Sequence, residues 1–174
     1  MKIRFLGAAR VVTGSCYHLI TDSLQILVDC GMYQGKNADE VNRQPFQFDP
    51  GQIDVLLLTH AHLDHSGLLP KLVADGFKGD IVATAGTAEL VEIMLLDSAH
   101  IQERDAEWMT KKSFRAGKDQ IYQPLYTEED AKGVMPFVKK VNYMETLELK
   151  SGVRYRFIDA GHILGSGSLE IWLN

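Results

Sequence analysis

The chain has 174 residues, of which 45% are hydrophobic and 24% charged. That length holds one ordinary domain, and that composition excludes a disordered tail, a collagen-like fibre and a disulfide-stapled miniprotein. Lys plus Arg number 18 against 23 Asp plus Glu, a net charge of −5, so this is no strongly basic nucleic-acid binder and any nucleic-acid contact must come from local charge.

Residues 2–6 read as a short strand, and residues 7–15, with Gly7 and Gly14, as a loop. Residues 16–20 and 24–28 are β-rich runs around the turn signal Thr21-Asp22-Ser23, which together predict an antiparallel meander. Residues 29–51 carry Gly31, Gly35, Pro45 and Pro50 as breakers and read as one long irregular, functional loop. Residues 55–58 are a continuous apolar run, a strand buried on both faces and far too short to span a membrane. Residues 66–74 read as a helix with Leu68, Leu69, Leu72 and Val73 on one face and Pro70 in its first turn.

After a strand at 81–83, Thr87 is placed to cap a long helix running to about residue 109. Leu90, Val91, Ile93, Met94, Leu95 and Leu96 surround its first half, which should be buried; the second half is charged and should be solvated. Thr127-Glu128-Glu129-Asp130 signals a helix start, kept short by Gly133 and Pro136. A strand at 153–158, a glycine-rich loop at 161–167 and an alternating strand at 168–173 complete a mixed α/β order. Arg10 interrupts any apolar export signal, and Cys16 and Cys30 do not make a disulfide framework, so a reduced, cytoplasmic protein is expected.

The chemistry concentrates in His60-Ala61-His62-Leu63-Asp64-His65, which holds three of the six histidines. It follows a buried strand and precedes a helix. His60 and His62, two apart in extended chain, converge on one side, while Asp64 and His65 face a second point as the chain turns into the helix. Imidazoles with a carboxylate suit zinc or another borderline divalent ion better than calcium or magnesium. A structural zinc would be Cys-rich and closed; this donor set favours an open, catalytic site.

This motif resembles the signature of the metallo-β-lactamase superfamily. The stretches 27–35 (LVDCGMYQG), 58–67 (LTHAHLDHSG) and 160–166 (AGHILGS), with the opening FLGAARVVTGS at 5–15, are similar to motifs of its β-CASP branch of RNA- and DNA-processing nucleases. The resemblance covers essentially the whole chain. It implies an αββα sandwich and two zinc ions, with His60, His62 and His162 holding one and Asp64 and His65 helping to hold the second. Asp64 and Asp29 are its catalytic residues, Asp29 by orienting a motif histidine through a hydrogen bond. The implied substrate is RNA, cut by in-line attack on a phosphodiester to leave a 5′-phosphate.

The branch also uses a bridging Asp beyond the third motif, a further His and an inserted β-CASP domain, none of which this sequence contains. Residues 1–174 are therefore expected to be the N-terminal part, about half, of the sandwich. The chain alone is expected to hold one metal or none, to have little nuclease activity, and to self-associate as a dimer through uncovered apolar surface.

Weaker signals have blander readings beside them. Lys111-Lys112-Ser113-Phe114-Arg115-Ala116-Gly117-Lys118, near Tyr122 and Tyr126, suits a nucleic-acid contact or, more simply, a solvated loop. The loop at 161–168 can offer N–H groups to a phosphate or merely position His162. His18, His100, Cys16 and Cys30 read as packing or surface residues. Rival functions are hydrolysis of a thioester, lactone or lactam on the same fold, and a non-catalytic RNA-processing subunit.

Overall fold

The computed structural model describes residues 1–173; Asn174 lies outside the described residues. Strands β1 (Lys2–Phe5), β2 (Tyr17–Ile20), β3 (Gln25–Val28), β4 (Val55–Leu57), β5 (Asp80–Thr84) and β6 (Val138–Val141) form a six-stranded sheet in that order. The first three pair antiparallel, as the turn at 21–23 requires; β3 to β6 pair parallel. A second, three-stranded antiparallel sheet holds β7 (Leu147–Glu148), β8 (Arg154–Asp159) and β9 (Gly167–Trp172).

The two-residue period of the central strands sorts their side chains into two cores. Leu27, Leu56, Leu58, Ile81 and Ala83 face a layer of helices, whereas Ile26, Val55, Leu57 and Val82 face Tyr155 and Phe157 of the second sheet. The described residues thus form three layers: helices, six-stranded sheet and three-stranded sheet. The run at 55–58 is apolar throughout because both faces are covered; each fully buried Leu or Ile contributes about 1.5–3 kcal/mol.

Several boundaries differ from the sequence reading. The loop at 29–51 contains helix α1 (Ala38–Arg43) and a 3-10 turn at Pro50–Gln52. The helix expected at 66–74 is two, α2 (Leu63–Ser66) and α3 (Leu69–Ala74). Between them Leu68 donates its N–H to Cys30 O, outside the helix, and Pro70 starts the new one without needing an N–H. Thr84, not Thr87, caps the long helix α4 (Ala85–Arg115), its side chain accepting from Thr87 N. The strand β5 hands directly to the helix there. Ile93, expected to be buried, is 64% exposed, because only one face of α4 meets the core.

Helix α5 (Glu128–Val134) opens with a capping box, Thr127 and Asp130 each accepting the other's backbone N–H. Strand β6 had no sequence signal, since Lys139 and Lys140 occupy its middle at the exposed edge of the sheet. His18 is packed on β2 against Phe48 with Nε2 at Gln25 Oε1, and His100 is exposed with its Nδ1 3.0 Å from Glu128 Oε1.

Candidate metal centre

Parallel strands end on one edge of the sheet, and that edge is where such sheets place their ligands. Residues leaving β3, β4 and β5 there are Asp29, Thr59-His60 and Thr84. The segment at 60–62 stays extended and then enters α2. His65 and Ser66 donate their N–H groups to His62 O, and Ser66 Oγ donates to Ala61 O, so the turn is closed on itself. Gly31 lets this loop lie against the β3 exit: a Cβ there would sit 1.7 Å from Asp64 O.

His162 arrives from the other sheet, on the loop joining β8 and β9. The N–H groups of His162 and Ile163 both donate to Ser166 Oγ. Gly165, at φ +81°, turns its carbonyl to accept from Thr84 Oγ1 and Thr87 Oγ1 at the start of α4. Gly167 N–H donates to Thr59 O, and Tyr143 Oη donates to Ser166 O. The loop is thus pinned between the end of β4 and the start of α4. Its glycines serve that fixing, which is the positioning alternative for residues 161–168.

The rings of His60, His62 and His162 meet at nearly right angles, with all three centroid separations at 5.0 Å. One ligand atom from each lies within 4.8 Å of the others. His62 Nδ1 and His162 Nε2 are 3.2 Å apart, close to the separation of about 3.3 Å that two imidazole nitrogens take in a tetrahedral zinc site. Burial, and then the neighbouring imidazoles, lower the His60 pKa to about 4, so His60 is a neutral imidazole at pH 7. Three convergent imidazoles, His60 among them held neutral, are a donor set that fits a borderline divalent ion.

Asp29 acts at one remove from this space. It is 1% exposed and adopts φ 60°, a left-handed conformation that Asp tolerates. Its Oδ1 accepts from Thr59 N, and its Oδ2 accepts from Ser15 Oγ, Thr59 Oγ1 and His65 Nδ1, the last at 2.7 Å. Thr59, having donated its hydroxyl proton to Asp29, accepts from His60 Nδ1 at 3.0 Å. Asp29 therefore sets two tautomers, directly at His65 and through Thr59 at His60, and leaves Nε2 of each ring free to ligate. Burial works against charge on His65, but the hydrogen bond and charge of Asp29, with Asp64, raise its pKa above the ordinary value.

The remaining expected residues lie beside the trio. The His65 ring is tilted by 46° to that of His60 with centroids 4.0 Å apart, and its Nε2 is 3.7 Å from Asp64 Oδ2. Asp64 is part-exposed, unlike Asp29. Cys30 is fully buried against Cys16, and that contact and its burial push its thiol pKa up, away from the ligating thiolate. The sequence reading missed Thr59, Ser15, Thr84 and Ser166. The spacing of hydroxyl residues carries no local signal; only the position of Thr59 immediately before His60 could have suggested it.

A family model described as the metallo-beta-lactamase superfamily matches residues 9–145. Ribonuclease TTHA0252 of Thermus thermophilus is 38% identical over 166 residues, covering 95% of this chain and 34% of that protein. Transcription termination factor FttA of Methanosarcina mazei is 32% identical over 171 residues, covering 95% of this chain and 24% of that protein. The chain thus spans about a quarter to a third of the length of these curated relatives. Among solved structures, BJP-1, a subclass B3 metallo-beta-lactamase of Bradyrhizobium japonicum, superposes with a TM-score of 0.54 at 20% identity, over 99% of this chain and 54% of that one. At that identity the likeness is one of fold.

Proposed function

The chain belongs to the metallo-beta-lactamase superfamily, and on that footing we propose that it is the metal-binding part of a zinc-dependent ribonuclease that hydrolyses RNA phosphodiester bonds. The observation that carries the chemistry is the convergence of His60, His62 and His162, with ring centroids 5.0 Å apart, on one space. The choice of RNA is supported by similarity to a protein named ribonuclease, at 38% identity. The lactam-hydrolysing alternative has only likeness of fold behind it, at 20% identity. A non-catalytic role is disfavoured by the presence of His60, His62, His65 and His162 at every motif histidine position that these residues cover.

A zinc ion held by His60, His62 and His162 would supply Lewis acidity toward a phosphoryl oxygen and lower the pKa of an attacking water. The protein's own part is orientation and proton handling. Asp29 and Thr59 hold His60 and His65 as Nδ1–H tautomers. Asp64, part-exposed beside His65, is the carboxylate placed to accept a proton from water or to join His65 in holding a second ion. The bridging carboxylate and the closing β-CASP domain implied by the resemblance would come from sequence outside these 174 residues. Self-association of the chain, through β9 at the edge of the second sheet, and a cytoplasmic setting belong to the same reading. Among the described residues, no helix is long and apolar enough to cross a membrane.

The test is a substrate panel on the zinc-loaded product of the complete reading frame: single-stranded RNA, a penicillin-type lactam and a glutathione thioester. Cleavage of RNA to 5′-phosphate products, lost with His60→Ala and with chelation, is expected. Turnover of the lactam or thioester with RNA left intact would overturn the assignment.

A further inference from the structure

The far end of α4 carries a feature that the metal centre does not use. Arg104, Trp108, Lys111, Lys112 and Arg115 follow spacings of four, three, one and three, which place them on one side of the helix. All are exposed, Trp108 to 58%. Lys112 Nζ lies 4.8 Å from the Trp108 ring centroid. Lys111 pairs with Glu107, but Arg104, Lys112 and Arg115 enter none of the ion pairs among the described residues. Three cations outside every ion pair among the described residues, one of them over an exposed indole, stand out on a chain whose net charge is −5.

The opposite side of the same turns is anchored. Thr110 Oγ1 accepts from Tyr122 N, Ser113 Oγ accepts from Gln120 N, and Gln102 Oε1 accepts from Leu125 N, tying the returning chain to the helix. The charged face is therefore presented on a rigid support rather than on the solvated loop that the sequence also allowed. Helix α4 starts against Gly165 of the His162 loop. At 1.5 Å per residue, the face begins about 30 Å and ends about 45 Å along the helix from that point.

We propose that this face is a second contact for single-stranded RNA, remote from the metal centre, with phosphates on Arg104, Lys112 and Arg115 and one base stacked on Trp108. Charge complementarity selects the occupant: a polyanion with exposed ring faces satisfies both the cations and the indole. A protein surface would gain from the indole and from Ile101 above it but would have to neutralise the cations. The inference rests on the RNA reading of the metal centre, and adds to it a place where a strand is held away from cleavage.

The test is fluorescence anisotropy of labelled oligouridine, about 16 nucleotides long, titrated with the 174-residue chain in EDTA across a salt series. Three phosphate contacts give an expected slope of log K against log salt of about −2. Lys112→Glu with Arg115→Glu should weaken binding at least about tenfold and flatten that slope. Trp108→Ala should weaken it at least about fivefold with the slope kept. Circular dichroism checks that each variant is folded, and exposed positions permit it; Lys112→Gln with Arg115→Gln is the milder substitute.

Binding unchanged in the charge variants overturns the proposal and leaves the face to a protein partner. Binding abolished by His60→Ala with His62→Ala overturns it too, since the strand would then sit at the metal centre alone. RNA bound here but never hydrolysed by the complete gene product would sink the reading of the metal centre and leave this one standing. RNA hydrolysed normally, with binding indifferent to the α4 variants, would do the reverse.

Discussion

Replacing Asp29 by Asn is expected to lower zinc affinity about 10- to 100-fold. The variant keeps the volume and the tolerance for φ 60° at this position. What it loses is an acceptor-only group. Asp29 takes four donors, from Ser15, from Thr59 twice and from His65. An amide can accept at one end only, and its NH2 would confront the protons of Thr59 or His65. Either Thr59 turns its hydroxyl, freeing His60 to change tautomer, or His65 does so. Each change places a proton on an Nε2 that should ligate. The fold should also lose about 1–3 kcal/mol, the cost of a buried donor without a partner.

Asp29→Ala goes further. It strips the partner from every donor at a residue that is 1% exposed, and places a residue with no polar side chain at positive φ. A loss of about 3–5 kcal/mol is expected, a large part of a small domain's stability. Zinc titration and thermal unfolding of the two variants check both parts. Unchanged zinc affinity in Asp29→Asn would mean that the ring orientations are set elsewhere.

A second large effect is expected from a methyl group on the other side of the site. In Gly165→Ala, the added Cβ would sit 2.0 Å from Thr87 N and 2.5 Å from the Gly86 carbonyl carbon, all backbone at the start of α4. The residue also holds φ +81°, which Ala resists. Helix α4 is 31 residues long and buries Val91, Leu95 and Ala99 in the core, so the loop must move rather than the helix. The bonds from Thr84 and Thr87 to Gly165 O break, and His162, three residues earlier, leaves the trio.

Zinc affinity should fall at least about tenfold in Gly165→Ala, while the far-ultraviolet spectrum, set by the sheets and α4, stays native. Gly133→Ala is the control. A Cβ there meets nothing within 4 Å, in the last turn of α5. It should be neutral or stabilise by about 0.4–1 kcal/mol, with zinc affinity unchanged. Native zinc affinity in Gly165→Ala would show that His162 is not held by this loop.

The sequence exposed those parts of the protein in which a local pattern has one physical cause. The uniform apolarity of 55–58 comes from two covered faces, and the turn at 21–23 permits only an antiparallel return. The dense motif at 60–65 is legible for the same reason: extended chain followed by a helical turn gathers its side chains in one place, and only the fixing of its rings by Asp29 comes from elsewhere in the chain. His162 is a different matter. It lies 100 residues from His62, and only its place in a family motif singled it out, because a contact between two sheets leaves no periodicity in either strand.

Thr59, Ser15 and Ser166 were illegible because a hydroxyl declares its partner only in three dimensions. The start of α4 was misplaced by three residues because two threonines, Thr84 and Thr87, both suit a cap; the end of β5 decides between them. Helix α4 also runs six residues past the expected end. Thr110 and Ser113 collect the returning chain and stabilise turns that look merely solvated in sequence.

The most direct measurement of the central claim is zinc-edge X-ray absorption on the protein loaded with a single equivalent of zinc. Three imidazole nitrogens at about 2.0–2.1 Å, with the outer-ring scattering of three imidazoles that drops to two in His162→Ala, is the expected spectrum. A zinc ion with one imidazole or none, or a spectrum indifferent to His162→Ala, would contradict the shared coordination sphere and the hydrolytic centre built on it.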